Sequence, residues 1–202
     1  MTLWRGKAPL ILASQSRARQ MLLANAGLAF EAIPADVDER ALQDASRLSA
    51  PREIALFLAR EKARAVSRQH AARYVIGADQ TLALGERLFT KPAGRAEAAS
   101  QLAALAGKVH ELHSAVAVAH DGRIVFEEVS VAHMTMRPLS ASDVAAYLDE
   151  AGEAVTTSVG AYQLEGLGVH LFERIEGDHF TILGLPLLQL LAFLRSERLL
   201  AV

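Results

Sequence analysis

Apolar positions in this chain fall into short continuous runs separated by stretches of helical periodicity. Leu10–Ala13, Phe30–Pro34 and Tyr74–Ala78 are runs of strand length, and they read as three strands of a largely buried sheet. Between the first two, Arg17–Ala26 reads as a helix, with Ser14 or Ser16 as its N-cap and Gly27 just past its end. "ADVDER" (Ala35–Arg40) reads as a polar loop. Pro51 opens a long helix to about His70, with Ile54, Phe57, Leu58 and Ala65 as its apolar face and Glu61 interrupting it. Arg95–Ala106 is an alanine-rich helix stopped by Gly107. Lys108–His120 and Arg123–Arg137 are long runs joined by Asp121-Gly122, a strong hairpin signal. Ser140 or Ser142 caps a helix to about Glu150. Gly168–Ile175 and His179–Ile182 read as short strands around the turn Glu176-Gly177-Asp178, and Pro186 starts a leucine-rich helix. The pattern predicts an α/β fold, a mixed β-sheet flanked by helices, in two lobes around a cleft. With no repeat, low-complexity segment or clear linker, residues 1–202 are expected to form a single domain.

Composition narrows the function classes. The chain has 202 residues, 51% hydrophobic and 22% charged, enough apolar material for a real core. Its net charge of -2 gives no global basic field, so nucleic acid is not an expected partner. The absence of cysteine removes disulfides, thiolate metal sites and cysteine nucleophiles. Ala8–Ala13, with Pro9 inside it, is too short for a secretory hydrophobic region. Ile182–Leu194 is interrupted by Gly184, Pro186 and Gln189 and falls short of the ~18 residues of a membrane span. A cytoplasmic protein with no membrane partner is the expectation.

The candidate chemistry lies at strand ends. "LILASQSRAR" runs from an apolar strand into hydroxyls and guanidiniums where a helix begins. A helix start carries unpaired N–H groups and partial positive charge, so it suits phosphate; Ser14, Ser16 and Arg19 add donors there. The plainer alternative is that the serines only cap the helix and the arginines are solvated. "DVDER" gathers Asp36, Asp38 and Glu39, and "VIGADQT" delivers Asp79 after the third strand, where open α/β sheets place ligands. Lys91 precedes a proline in "FTKP", whereas Lys62 in "REKARA" lies inside a helix, where an exposed lysine is the ordinary reading. Basic groups neutralise a polyphosphate, and carboxylates hold Mg²⁺ and orient water. There is no GxxxxGK[ST] and no Gly-x-Ser-x-Gly. His110 and His113, three apart in a strand, read as sheet-surface residues rather than metal ligands.

Taken together, "LILASQSRARQMLLANAGLAFE", "VDE", "EKA", "VIGADQTLAL", "TKPAGRAEAASQLAALAGKVHE", "GAYQLEGLG" and "FERIEGDHFTILGLP" resemble the Maf family of nucleotide pyrophosphatases, nearly end to end and in order. The resemblance implies a mixed α/β protein, often a homodimer, that hydrolyses nucleoside triphosphates to the monophosphate and pyrophosphate with a divalent metal, Mg²⁺ or Mn²⁺. It implies phosphate contacts from Ser14 and Arg19, polyphosphate contacts from Lys62 and Lys91, Glu39 as an acidic, metal-binding residue, and Asp79 as the proton acceptor and a second metal ligand. Three positions depart from the commonest pattern. Ser-Pro-Arg-Arg reads Ser16-Arg17-Ala18-Arg19, Asp-Thr reads Asp79-Gln80, and a glutamine in the "GAYGIQG" region is Glu165. Gln80 with Glu165 resembles the subgroup linked to 7-methyl-GTP, with both residues in substrate binding, rather than the subgroup linked to dTTP and UTP. The family's other name, septum formation inhibitor, motivates a rival reading as a non-catalytic nucleotide-binding regulator of cell division.

Overall fold

The computed structural model describes residues 3–202. Its elements are β1 (Leu10–Leu12), α1 (Arg17–Asn25), β2 (Phe30–Ala32), α2 (Glu39–Ser46), α3 (Pro51–Ser67), β3 (Tyr74–Leu84), β4 (Arg87–Phe89), α4 (Arg95–Leu105), β5 (Val109–His120), β6 (Arg123–Met136), α5 (Ala141–Ala151), β7 (Phe172–Glu176), α6 (His179–Ile182) and α7 (Leu187–Ser196). The strand order is β2-β1-β3-β5-β6-β7, with β4 on β3. β1 pairs in parallel with both β2 and β3, whereas β4 on β3 and β7 on β6 are antiparallel, so the sheet is mixed as expected. Asp121 and Gly122 both have positive φ, the geometry of a two-residue hairpin turn between β5 and β6. No described helix is long and apolar enough to cross a membrane.

The residues form two compact units. Among the described residues the first comprises the chain up to Gln80, Ser114–Ser130 and His179–Val202; the second comprises Thr81–His113 and Val131–Asp178. In the first unit the strand alternation sorts two cores. Leu10, Leu12, Ile76, Ala78, Val116 and Val118 face α1 and α7 in a leucine-rich core. Ala115, Ala117 and Ala119 face the opposite way, onto Ala55, Ala59 and Ala63 of α3. That second face is mostly alanine, with Val129 beside it, and Gly77 sets its spacing. A Cβ on Gly77 would stand 2.1 Å from the Ala59 carbonyl oxygen and 2.6 Å from the Ala63 nitrogen. The helix therefore rests directly on β3. In the second unit, α4 and α5 pack together, and Ser140 and Asp143 form a reciprocal capping box at the start of α5.

Several expectations need correction. Asp79 does not end its strand: β3 continues to Leu84, because residues 82–84 pair with β4 across a tight turn. His179–Ile182 is a helical turn, not a strand; Leu183 donates to the His179 carbonyl and Gly184 to that of Thr181, so the segment bonds to itself. The polar segment after Asp38 becomes α2, because the Asp38 carboxylate caps it through the Ala41 N–H. α3 stops at Ser67, and its buried stripe runs through Ile54, Ala55, Leu58, Ala59, Lys62, Ala63 and Val66, leaving Phe57 and Ala65 only half-buried. His110 and His113 are both buried rather than on the sheet surface.

Candidate active site

The close approach of α3 to β3 determines where Lys62 lies. It follows Leu58 by one turn on the buried stripe, and its ammonium meets β3 beside Gly77's neighbourhood, at Asp79. Lys62 Nζ stands 2.6 Å from Asp79 Oδ1 and 2.8 Å from Glu39 Oε1. The Lys62 and Asp79 side chains are 9% and 10% exposed, whereas that of Glu39 is 53% exposed. One buried ammonium thus joins a buried carboxylate and a mobile-length surface carboxylate on the first turn of α2. Burial raises the Asp79 pKa above the ordinary carboxylate value; Lys62 and Arg19 oppose that rise without cancelling it, and Glu39 adds to it.

The start of α1 forms the neighbouring wall. Ser16 is the N-cap, its side chain accepting from the Arg19 N–H. The Ser14 hydroxyl accepts from the Ser16 N–H and from Arg19 Nη1. Arg19 also donates through Nη1 to the Ala78 carbonyl and through Nε to the Gly184 carbonyl, both at 2.8 Å. Gly184 has a φ of +87°, and a Cβ there would come within 3.3 Å of the guanidinium. Arg19 therefore serves as a strut between α1, β3 and the turn after α6, and it holds positive charge near Asp79. Burial lowers its own pKa. Arg17 is exposed.

Gln80 is half-buried, and its amide nitrogen is committed to the protein: it donates to Ser114 Oγ and to the carbonyls of Thr181 and Ile182. The sequence points to Gln80 but not to its partner Ser114, a serine within a strand, nor to the Thr181 and Gly184 carbonyls, for backbone acceptors carry no residue-type signal. The structure thus brings Ser14, Arg19, Glu39, Lys62, Asp79 and Gln80 together in the first unit. Lys91 and Glu165 belong to the second unit. Lys91 is exposed in the extended stretch after β4, and Glu165 is exposed in a turn whose backbone is organised by the Gln163 carbonyl, which accepts from the Gly166 and Gly168 N–H groups.

Among the described residues no group of three or more His, Asp or Glu side chains is arranged to hold a metal ion. Glu39 and Asp79 nevertheless converge on a single cationic centre, and both offer hard carboxylate oxygens. That donor set fits a Mg²⁺-like ion that takes one or two carboxylates and completes its shell with water and phosphate oxygens.

Residues 9–197 match the family model described as Maf-like protein. The chain is 76% identical over 202 residues, the full length of both chains, to a nucleoside triphosphate pyrophosphatase of Bradyrhizobium diazoefficiens. It is 66% identical over 202 residues, again the whole of both, to a nucleoside triphosphate pyrophosphatase of Rhodopseudomonas palustris. It is 52% identical over 192 residues, 94% of this chain and 96% of the relative, to a 7-methyl-GTP pyrophosphatase of Rhizobium meliloti. A carboxylate and an ammonium held together in the first unit, under a helix start rich in donors, accord with these matches, and the chain belongs to the Maf-like protein family.

Proposed function

We infer that this protein hydrolyses nucleoside triphosphates to the monophosphate and pyrophosphate. The observation that carries the reading is the buried Asp79 carboxylate held by Lys62 Nζ, with Glu39 on the same ammonium. Asp79 accepts a proton from a water that attacks the α-phosphorus. The new bond joins the water oxygen to that phosphorus, the bridging oxygen to the β-phosphorus leaves, and pyrophosphate carries the electron pair away. Lys62 and Arg19 offset the negative charge that grows on the leaving group. Ser14 and the N–H groups at the start of α1 hold phosphate oxygens. A divalent cation on Glu39 and Asp79 would supply further positive charge at the phosphates. Every other role falls to the chain's own groups.

Within that reading we assign guanine-type triphosphates as preferred substrates, with 7-methyl-GTP first. Glu165 is an exposed carboxylate, able to accept from the N1–H and amino group of guanine, whereas uracil and thymine offer a single imide N–H. Methylation at N7 gives the ring a positive charge that a carboxylate favours, and a site built around such donors discriminates against bases lacking them. The name of the Rhizobium meliloti relative supports this choice, and the names of the other relatives leave the base open. The test is a panel of GTP, 7-methyl-GTP, dTTP and UTP with Mg²⁺ or Mn²⁺, with products identified. Monophosphate plus pyrophosphate is expected, fastest from 7-methyl-GTP. Orthophosphate release, or binding without turnover, contradicts the activity; a higher kcat/KM for dTTP or UTP contradicts only the base assignment.

A further inference from the structure

Lys91 is exposed, and its ammonium makes no hydrogen bond or ion pair among the described residues. Its backbone, by contrast, is held on both sides. Phe89 and Pro92 are buried. The Thr90 carbonyl accepts from Gln101 Nε2 at 2.9 Å, and the Ala93 N–H donates to Glu97 Oε2 at 2.8 Å. Pro92 also restricts Lys91 to extended backbone. Gln101 Nε2 gives its second hydrogen to Glu97 Oε1 at 3.3 Å, so the two side chains of α4 form one clamp. All of these residues belong to the second unit.

Stability alone does not account for Gln101. It lies on the buried stripe of α4 with Ala98, Leu102 and Leu105, and it is 4% exposed. Both hydrogens of its amide are used, whereas Oε1 is buried and has no hydrogen-bond partner among the described residues. A bare buried acceptor costs stability, and the same enclosure closes this oxygen to a substrate. An apolar side chain would fill the stripe without it. What Gln101 adds is a hold on Thr90. Glu97 has a plainer role as well: Gly94, the N-cap of α4, brings no side chain, and Glu97 reaches back past it to Ala93 from the first turn. A cap alone has no bearing on Lys91, and that difference can be measured.

We propose that Gln101 and Glu97 are positioning residues, which hold the backbone of residues 90–93 and so preset the free ammonium of Lys91 for the polyphosphate of the substrate. This rests on reading Lys91 as a phosphate contact. A segment fixed in advance meets the phosphates without first being ordered, and affinity gains by what that ordering would cost. The clamp therefore acts on binding more than on the chemical step.

The experiment is a double-mutant cycle on the full chain: Gln101→Met, Glu97→Ala, Lys91→Ala, and each of the first two combined with Lys91→Ala. Gln101→Met keeps length and shape, cannot donate, and removes the bare oxygen. Melting curves establish folding. kcat and KM for GTP with Mg²⁺ are measured well below the melting temperature, together with the Ki of inorganic pyrophosphate, which reports phosphate binding without turnover. Lys91→Ala is expected to raise KM and Ki by about tenfold. Gln101→Met and Glu97→Ala are each expected to raise both by about three- to fivefold, with kcat within about twofold of the parent. Removing the Glu97 charge would by itself favour phosphate, so a rise there reports the lost bond. On the Lys91→Ala background each should change KM and Ki by less than about 1.5-fold, because the clamp acts through the lysine. Unchanged KM and Ki in folded Gln101→Met overturn the proposal. Losses of equal size with and without Lys91 overturn it too, since they bypass the lysine. If Gln101→Met does not fold, Glu97→Ala decides by the same criteria. A Lys91→Ala enzyme with parental KM and Ki overturns the reading of Lys91 itself, and that control separates the two failures.

Discussion

Each unit of this molecule buries a pair of polar side chains in contact, and the two pairs differ in kind. In the first unit Lys62 and Asp79 are both charged groups, 2.6 Å apart, with Glu39 reaching the same ammonium from the surface. In the second, His110 Nε2 and the Tyr162 hydroxyl are 2.7 Å apart, with Phe172 against both rings. Burial holds the His110 pKa down at about 4 and pushes the Tyr162 hydroxyl up, so that pair is neutral at ordinary pH. A neutral hydrogen bond in a core stabilises modestly and asks for nothing more. A buried ion pair is a poor way to gain stability, since desolvation offsets most of its attraction. Its presence beside a donor-rich helix start points to chemistry.

The comparison yields predictions that fall in size from the charged pair to its surroundings. Lys62→Met strands the Asp79 carboxylate in the core and should cost about 3–5 kcal/mol of stability; equal melting temperatures for variant and parent would contradict it. Next is the neutral pair. The folded pKa of His110, about 4, lies below the ordinary value of 6.5, so the unfolded chain binds more protons between the two. Stability is then full above pH 6.5 and falls as pH drops toward 4, by roughly 3 kcal/mol for the whole window. Denaturant unfolding of parent and His110→Gln across that range checks this: the variant, which keeps a partner for Tyr162 but does not titrate, should lose that part of the slope.

Asp79→Asn keeps the size and removes the base, so kcat should fall by about 10²-fold or more with the fold intact. If Asp79 is the proton acceptor, burial, which raises its pKa, should shift the acid limb of the parent's kcat/KM upward from the ordinary carboxylate value, and a pH profile of kcat/KM checks this. Arg19→Ala should lower kcat/KM by about tenfold, through loss of charge and of the strut at Ala78 and Gly184. Arg17, exposed at the same helix start, should change it by less than about twofold on replacement by alanine. Equal losses at positions 17 and 19 would mean that phosphate, rather than the strut, governs this corner.

Local rules made much of the fold legible. The stop at Gly27 and the Asp121-Gly122 hairpin follow from residue types at fixed positions, and of the paired cap candidates Ser14 or Ser16 and Ser140 or Ser142 the structure uses Ser16 and Ser140. His179–Ile182 misled because His-Phe-Thr-Ile alternates polar and apolar over four residues, too few to tell a strand from a helical turn. Lys62 had a signal that the plain helical reading passed over: it continues the Leu58, Ala59 and Ala63 stripe, so a lysine there had to be buried or break the face. The strut role of Arg19 was not legible, since its partners are backbone carbonyls of β3 and of a turn 165 residues away. Only tertiary structure brings such acceptors to a side chain.

The central claim, that Asp79 directs water to the α-phosphorus, is tested most directly by isotope position. A single turnover of GTP in ¹⁸O-water, analysed by mass spectrometry of the separated products, reports which phosphorus was attacked. The account predicts one ¹⁸O atom in the nucleoside monophosphate and none in pyrophosphate. Label in pyrophosphate, or in released orthophosphate, would place the attack elsewhere on the triphosphate and contradict it.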